Sequence, residues 1–404
     1  MIFTLDVRRA RKGDCLILHY GTKEDPGLIL IDGGPSNVYG PHLRPRLEKI
    51  REARKPPTNA PLPVDLLMVS HIDDDHIKGV LELTKELTET QGTPLLKIKG
   101  VWHNTFDNII GNNPEKLTGA VKAQFGAASL SGDGEEVEGL DPDVARVLSS
   151  VSQGFRLRDD LRALGLTQRT NPQFKGKVVM AKAKAKPIDM GKGLKFTVIG
   201  PMNDEVLALQ NAHDEFLQKK KDKESEASLA AFTDKSVANL SSLVVLAEVG
   251  EKRILLTGDA RGDKVLEGLE LVGLLKKDGK SKIHVDILKG PHHGSNRNVE
   301  AIFFRRVTAD HYVFSGNGEH GNPERETLEM LLAERGNAKY TVHLTYPIAE
   351  IDAERKKECK KKGKSWSPKK QSLAALLDAN QSFAKKIKIV DEKKPHLIPL
   401  LVKI

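Results

Sequence analysis

The chain has 404 residues and a formal net charge of +9 at pH 7. Its 39% hydrophobic and 29% charged residues are typical of a globular protein and exclude a disordered or fibrous chain. Two cysteines exclude a disulfide framework, no apolar run is long enough for a membrane span, and the N-terminus lacks the pattern of a signal peptide. We therefore expect a soluble, cytoplasmic protein whose basic surface favours a polyanionic partner.

The first hundred residues alternate short apolar runs with turns, which is typical of strands that form a sheet. Helical spacing over Leu43 to Lys55 and over Gly79 to Thr90 predicts two helices that cover this sheet. The predicted strands are Ile2 to Val7, Cys15 to Tyr20, Leu28 to Ile31 and Val64 to Val69.

The regular pattern weakens between Asn104 and residue 193, and we interpret this stretch as an insertion with helices near 115–126 and 141–164. A strand is predicted next over Leu194 to Ile199, followed by a helix over Asp204 to Gln218. Two apolar runs, Ser241 to Val249 and Arg253 to Thr257, are joined by Gly250 and Glu251, which predicts a hairpin.

Strands and helices then alternate, which places the loops after successive strands on one rim of a second sheet. The predicted elements are a helix from Asp263, a strand over His284 to Leu288, a helix near 298–306, a strand over His311 to Ser315 and a helix over Pro323 to Arg335. A lysine-rich tail, 354–370, is predicted to precede a terminal helix and two strands, Lys386 to Val390 and Leu397 to Ile404.

The segment His71 to His76 carries the strongest chemical signal. It places two imidazoles and three carboxylates within six residues, directly after a predicted strand. Because like charges this close disfavour joint ionisation, a metal cation is the natural counter-charge. Mixed nitrogen and oxygen ligands suit zinc, and the carboxylates also admit manganese or iron. The alternative is a solvated acidic helix start, which the helix dipole stabilises.

Three further segments place an acid or histidine beside glycine at the end of an apolar strand. They are Leu30-Ile31-Asp32-Gly33-Gly34, Leu256-Thr257-Gly258-Asp259-Ala260 and Lys289-Gly290-Pro291-His292-His293-Gly294-Ser295. Glycine lets the backbone turn sharply, so such segments present a ligand at the edge of a sheet.

In this order, these motifs and the Ser-His-x-Asp-x-Asp-His run that begins at Ser70 resemble the metallo-β-lactamase superfamily. They are most similar to the hydrolase domain of ComEC-type DNA-uptake proteins, over residues 1 to 335 without the insertion. The resemblance implies an α/β fold, specifically a four-layer αββα sandwich. We expect a hydrolase domain over 1–350, with the insertion at about 104–193, and a lysine-rich C-terminal extension over 351–404.

The resemblance also implies two divalent ions, zinc or manganese. His71 and Asp73 would bind one ion, Asp75 and His76 the other, and Asp259 would bridge both. The implied ligand set is His71, Asp73, Asp75, His76, Asp259 and His293. Asp75 and His292 are the expected catalytic residues, although the roles of His292 and His293 could be exchanged. The residues expected to orient ligands or line the pocket are Asp14, Asp32, Asn239, Ser242 and His320.

One position departs from the family pattern. No histidine matches the usual third ligand of the first metal, and Asn239 and Ser242 stand nearest to that element. The first site is therefore expected to be weak or to be completed by water.

The expected reaction is hydrolysis by water that the metal ions activate. A nuclease-like resemblance and a basic surface favour a phosphodiester substrate, with nucleic acid as the partner. The expected phosphate contacts are Arg8, Arg9, Arg11 and Lys12 beside the pocket and Lys360, Lys361 and Lys362 in the tail. A small-molecule hydrolase acting on a thioester, lactone or lactam is the alternative, because a fold does not fix its substrate. A binding module without activity is the third possibility.

Overall fold

Two β-sheets form the centre of the structure, a computed structural model that describes residues 1–54, 57, 60–104, 142–207, 211 and 241–402. The strands are β1 (Ile2–Val7), β2 (Leu16–Gly21), β3 (Pro26–Ile31), β4 (Leu62–Val64), β5 (Leu66–Met68), β6 (Leu96–Ile98), β7 (Val101–Trp102), β8 (Ile188–Gly191), β9 (Leu194–Gly200), β10 (Val244–Val249), β11 (Lys252–Leu256), β12 (Ile283–Lys289), β13 (Val307–Phe314), β14 (Thr341–Leu344), β15 (Ile387–Ile389) and β16 (His396–Pro399). The helices are α1 (Arg44–Arg54), α2 (Asp74–Glu89), α3 (Pro142–Ala163), α4 (Gly262–Leu271), α5 (Ala301–Arg306), α6 (Arg325–Arg335), α7 (Ile348–Lys361), α8 (Pro368–Gln371), α9 (Leu373–Ala379) and α10 (Gln381–Ala384).

Both sheets combine antiparallel and parallel strands. The first sheet has the order β16-β1-β2-β3-β5-β7, and its strands run parallel from β3 to β7. The second has the order β15-β14-β13-β12-β11-β10-β9-β8, and its strands run parallel from β15 to β11. A separate parallel pair joins β4 to β6. In each sheet, therefore, several strands end at the same edge.

Alternating side chains of these strands enter different apolar cores, because successive strand residues point to opposite faces. Leu16 and Leu18 of β2 pack with Val245 of β10 between the two sheets. Ile17 instead packs against α1, α2 and α3, whereas Leu246 packs against helices on the outer face of the second sheet. The predicted α/β class, with two sheets flanked by helices, is confirmed.

The predicted strand over Val64 to Val69 is interrupted, because the chain changes pairing partners at Asp65. One Asp65 carboxylate oxygen accepts hydrogen bonds from the backbone N–H of Leu28 at 3.2 Å and the hydroxyl of Tyr20 at 3.0 Å. The other accepts from Lys99 Nζ at 2.7 Å. The strand is therefore divided into β4, which pairs with β6, and β5, which joins the first sheet.

Helix α2 begins five residues before the predicted start at Gly79. Asp74 and Asp75 occupy its first turn, where carboxylates interact favourably with the positive end of the helix dipole. Asp75 and His76 are therefore held by a helix, whereas His71 and Asp73 lie in the loop before it.

The lysine-rich segment 354–370 is helical in its first half, because α7 extends through it to Lys361. Ile351 and Arg355 are buried on one face of α7, and Arg355 Nη1 donates to the backbone oxygen of Gln371 at 2.7 Å. The Arg355 guanidinium also lies 5.6 Å from the ring centre of Trp366. One side of this basic segment is therefore anchored while its lysines face solvent.

The chain after residue 350 adds one edge strand to each sheet, β15 to the second and β16 to the first. Within the predicted insertion, α3 packs on α2 and β8 forms the other edge of the second sheet.

The domain boundaries stay a prediction. The predicted helix near 115–126, most of the predicted helix after residue 207, and residues 403–404 lie outside the described residues. Among the helices in the described ranges, none has the length and apolar composition needed to cross a bilayer.

Three histidines form a row where β13, β14 and β16 approach one another. His311 Nδ1 lies 3.0 Å from His343 Nε2, and His343 Nδ1 lies 2.7 Å from His396 Nε2. Burial of His343, helped by its two imidazole neighbours, lowers its pKa to about 2. His343 is therefore neutral in the folded protein and takes up a proton on unfolding below its ordinary pKa of 6.5.

We expect the free energy of unfolding to fall as the pH drops below about 6.5, because the unfolded state then binds more protons than the folded state. The variant His343→Gln removes this titration and should reduce the slope of unfolding free energy against pH between pH 7 and 4. Urea denaturation at a series of pH values measures the slope. The control is His284→Gln, which alters an exposed histidine on β12. An unchanged slope in His343→Gln would contradict the expectation.

Candidate metal centre

The candidate site lies where the carboxyl ends of strands from both sheets meet. In the first sheet, Asp32 follows β3 and the His71 to His76 segment follows β5. In the second, Asp259 follows β11 and His293 follows β12. Parallel neighbours end at one edge of a sheet, so these side chains converge although they are far apart in sequence.

The centre of the site is the Asp259 carboxylate. Its Oδ1 lies 3.2 Å from Nε2 of His76 and 3.2 Å from Nε2 of His293, and those two nitrogens are 3.2 Å apart. Its Oδ2 lies 3.7 Å from His71 Nε2 and 3.5 Å from His292 Nε2. The two oxygens of one carboxylate thus face different pairs of histidines.

Asp73 and Asp75 add two further carboxylates, one beside His71 and the other beside His76 and His293. Asp73 Oδ2 lies 3.8 Å from His71 Nε2. Asp75 Oδ2 lies 3.6 Å from His293 Nε2, and Asp75 Oδ1 lies 3.9 Å from His76 Nε2. The structure therefore brings together all six residues of the expected ligand set.

Two groups of side chains have a geometry that could hold a metal ion, with ligand atoms within 4.8 Å of one another. One is Asp14, His76, Asp259 and His293, and the other is His71, Asp75 and His76. Within the described ranges, the buried atoms His71 Nε2 and Asp259 Oδ1 have no hydrogen-bond partner of suitable geometry. A buried polar atom without a partner is costly, and a cation bound between these atoms would compensate both. The nitrogen and carboxylate donors fit zinc or manganese.

A carboxylate and a serine hold the far side of each central histidine. Asp32 Oδ2 lies 2.8 Å from His76 Nδ1, and Asp32 also accepts hydrogen bonds from the N–H and hydroxyl of Ser70, both at 2.7 Å. At His293, Nδ1 lies 3.5 Å from Asp14 Oδ1 and 3.4 Å from the hydroxyl of Ser315, which donates to Asp14. A carboxylate at Nδ1 fixes the ring so that Nε2 faces the centre of the site.

The buried charges shift one another's pKa values strongly. Burial alone lowers the pKa of His76, but the carboxylates of Asp259 and Asp32 raise it well above its usual value. For His293, burial is likewise outweighed by Asp259 and Asp14, which raise the pKa to about 10. Burial raises the pKa of Asp259, but the neighbouring imidazoles, His293 first, hold it well below the usual range. The electrostatic field that favours protons on these histidines also favours a divalent cation, so metal binding should release protons.

Two glycines let the backbone of the site approach closely. A Cβ at Gly13 would lie 1.7 Å from the backbone oxygen of Asp75, so the loop that carries Asp14 can lie against the start of α2 only with glycine there. Gly258 has a φ of +50°, and a Cβ there would lie 2.3 Å from Ser242 Oγ. That Ser242 hydroxyl accepts a hydrogen bond from the Asp259 N–H at 3.0 Å, which fixes the carboxylate at the centre.

His292 and His320 are more exposed than the histidines of the expected ligand set. His292 and His293 both have left-handed backbones, with φ of 44° and 54°, which turns the two rings in different directions. The His292 side chain is 24% exposed, whereas those of His71, His76 and His293 are at most 1% exposed. His320 is exposed at the rim, with Nε2 3.2 Å from Lys12 Nζ. Asn239 lies outside the described residues.

Sequence reasoning missed Lys289, the last residue of β12. Its side chain is 1% exposed and its Nζ lies 2.7 Å from Asp14 Oδ2. The available signal was a lysine directly after the predicted strand His284 to Leu288, because a buried lysine requires an acidic partner.

Comparison with known proteins shows only a short similarity. No family model matches the chain. Microtubule-associated protein 1A of Homo sapiens is 37% identical over 70 residues, which is 17% of this chain and 2% of that protein. The protein of the same name from Rattus norvegicus is 40% identical over 63 residues, 15% of this chain and 2% of that protein. The chain thus spans about 2% of the length of these relatives.

We expect Asp259→Asn to lose bound metal while the fold is kept, because an amide has the same shape but cannot balance a divalent charge. Metal content is measured by mass spectrometry after dialysis against zinc or manganese. A chelator should lower the thermal unfolding temperature of the wild-type protein and leave that of Asp259→Asn unchanged. The matched control is Asp263→Asn, an exposed carboxylate on α4 that pairs with Arg261. Wild-type metal content in Asp259→Asn would contradict the metal centre.

Proposed function

We propose that the chain is a metal-dependent hydrolase of the metallo-β-lactamase fold that cleaves phosphodiesters, in the manner of a ComEC-like nuclease. The observation that carries the proposal is the Asp259 carboxylate, whose two oxygens face two different pairs of histidines. A carboxylate that bridges two ions needs this arrangement. The position of the site, at the edge where two sheets of an α/β sandwich meet, also supports the proposal.

In this proposal each ion has its own ligands. His71 and Asp73 would hold one ion; Asp75, His76 and His293 would hold the other; and Asp259 would be shared by both. The separate contacts of Asp73 with His71 and of Asp75 with His293 support this division. When bound, two divalent ions acidify water and neutralise negative charge that develops on a phosphate.

The residues of the chain position the substrate and exclude water around the ions. Among the four histidines around Asp259, His292 is the most exposed, so we assign it contact with the phosphate or the leaving oxygen. His293 is buried and is therefore the ligand. This difference in exposure favours one of the two assignments that the sequence left open.

Charge at the rim supports a phosphate-bearing substrate. Lys12 lies next to His320, and α7 packs against the Glu319–Gly321 turn that carries this histidine. The exposed lysines on and directly after α7 are Lys356, Lys357, Lys360, Lys361 and Lys362. Exposed lysines thus continue from the rim along α7, interspersed with Glu354 and Glu358, which pair with Lys357 and Lys362. The lysine-rich end of this helix attracts polyanions.

Three of the expected phosphate contacts are engaged within the fold. The Arg8 side chain is 9% exposed and its Nη1 lies 3.6 Å from Asp6 Oδ1. Arg9 donates to the backbone oxygen of Val390 at 3.2 Å. Arg11 pairs with Glu319 at 2.9 Å, so Lys12 is the strongest remaining candidate of this group.

We expect the purified protein to hydrolyse a phosphodiester substrate, single- or double-stranded DNA or RNA, in the presence of zinc or manganese. Asp75→Ala combined with His76→Ala should abolish cleavage and remove about one metal equivalent, because both residues are assigned to one ion. Cleavage is followed on gels and metal content by mass spectrometry. If none of these polymers is cut while thioesters, lactones or lactams are, the small-molecule hydrolase is the better account. Bound metal without any hydrolysis would favour a binding module.

We also expect nucleic-acid affinity to fall steeply with salt, because lysines that neutralise phosphates release counterions. Replacing Lys360, Lys361 and Lys362 together by serine should reduce the slope of log affinity against log salt by up to about three for duplex DNA. The control replaces Lys276, Lys277 and Lys280, exposed lysines that precede β12, about 20 Å from the site end of that strand. Equal effects of both triple variants would contradict a specific surface on α7.

A further inference from the structure

The ion pair between Lys289 and Asp14 connects the two sheets beside the metal centre. Lys289 ends β12 in the second sheet, whereas Asp14 lies in the loop between β1 and β2 of the first. Their side chains are 1% and 2% exposed, and Lys289 Nζ lies 2.7 Å from Asp14 Oδ2. The same ammonium donates to the backbone oxygen of Gly290 at 3.1 Å.

Burying such a pair is seldom favourable for stability alone. Removing two charges from water costs several kcal/mol per ion, and well-packed apolar residues of similar volume are often as stable or more stable. The apolar residues between the two sheets already hold the sheets together. We therefore expect the Lys289–Asp14 pair to have a role other than holding the two sheets together.

The Lys289–Asp14 pair at His293 has a counterpart at His76, where a carboxylate also faces Nδ1 of the ring. Asp32 faces His76 Nδ1 and is fixed by the hydroxyl and the backbone N–H of Ser70, from the neighbouring strand segment of the same sheet. Asp14 faces His293 Nδ1 and accepts from the hydroxyl of Ser315, but it reaches across from the other sheet. Lys289 supplies the donor that a backbone N–H supplies to Asp32.

We propose that Lys289 is a positioning residue of the metal centre: it fixes Asp14, and Asp14 orients the His293 ring so that Nε2 faces Asp259. Lys289 occupies one Asp14 oxygen and Ser315 the other, so Asp14 supports a ligand instead of binding the ion itself. The inference rests on the metal site of the proposed function, but it does not depend on the substrate.

The variant Lys289→Met tests the proposal, because methionine is unbranched and similar in length but uncharged. We expect metal affinity, measured by chelator competition, to fall about 10- to 100-fold, as for other residues that orient a metal ligand. The absorption spectrum of the cobalt(II)-loaded protein should change as well, because it reports the geometry of the ligands. Lys252→Met is the control: it breaks a Lys–Asp pair of 2.6 Å with Asp286 in the same sheet, where the lysine side chain is 40% exposed.

Lys289→Met leaves Asp14 buried without its cation and can fail to fold for that reason. The double variant Lys289→Met with Asp14→Asn removes both charges and should fold. If the pair only joins the sheets, the double variant should regain wild-type metal affinity and cobalt spectrum, and the proposal is overturned. If the pair orients His293, the affinity should stay at least about tenfold lower in the folded double variant.

The Asp259→Asn variant separates failure of this inference from failure of the proposed function. Wild-type metal content in Asp259→Asn would contradict the metal centre itself. Loss of metal there, together with wild-type affinity in Lys289→Met and the double variant, would overturn only the role of Lys289.

Discussion

The convergence of His76 and His293 on one oxygen of Asp259 is the constraint on which the rest of the site depends. His76 lies on the helix that follows β5 of the first sheet, and His293 lies in the loop that follows β12 of the second. Their Nε2 atoms are 3.2 Å apart, and each is 3.2 Å from the same carboxylate oxygen. Two imidazoles held this close to one carboxylate require rings fixed on their far sides. Asp32 and Asp14 therefore lie behind the histidines, and the loops of both sheets must approach closely enough for these contacts to form.

Much of the fold could be predicted from the sequence, because apolar runs with the period of a strand or a helix reveal which face is buried. The hairpin of β10 and β11 and the alternating strands and helices that follow it are confirmed. The division at Asp65 could not be predicted, because it depends on hydrogen bonds to Tyr20 and Leu28, which are distant in sequence. The helical continuation of the lysine-rich segment likewise depends on contacts of Arg355 that only the folded chain provides.

For the site as well, features that depend on neighbouring residues could be predicted, whereas contacts between residues distant in sequence could not. Two histidines and three carboxylates within six residues indicate a cation from the sequence alone, because their mutual repulsion is local. Lys289 gave a weaker signal, since its partner Asp14 lies 275 positions earlier and on the other sheet. Equally, only the fold separates His292 from His293: two adjacent left-handed residues turn one ring toward solvent and bury the other.

Because its ligands come from both sheets, the site links metal binding to the assembly of the fold. Without a cation, the buried Asp259 and the partly exposed Asp75 lie close to one another, and protons on His76 and His293 provide the balancing charge. A bound metal ion would replace those protons at Nε2, while Asp32 and Asp14 would continue to hold Nδ1 of each ring. Binding free energy is then also folding free energy, since the unfolded chain has no such site. The charges that make the site costly without a cation are therefore the same charges that would favour a divalent cation there.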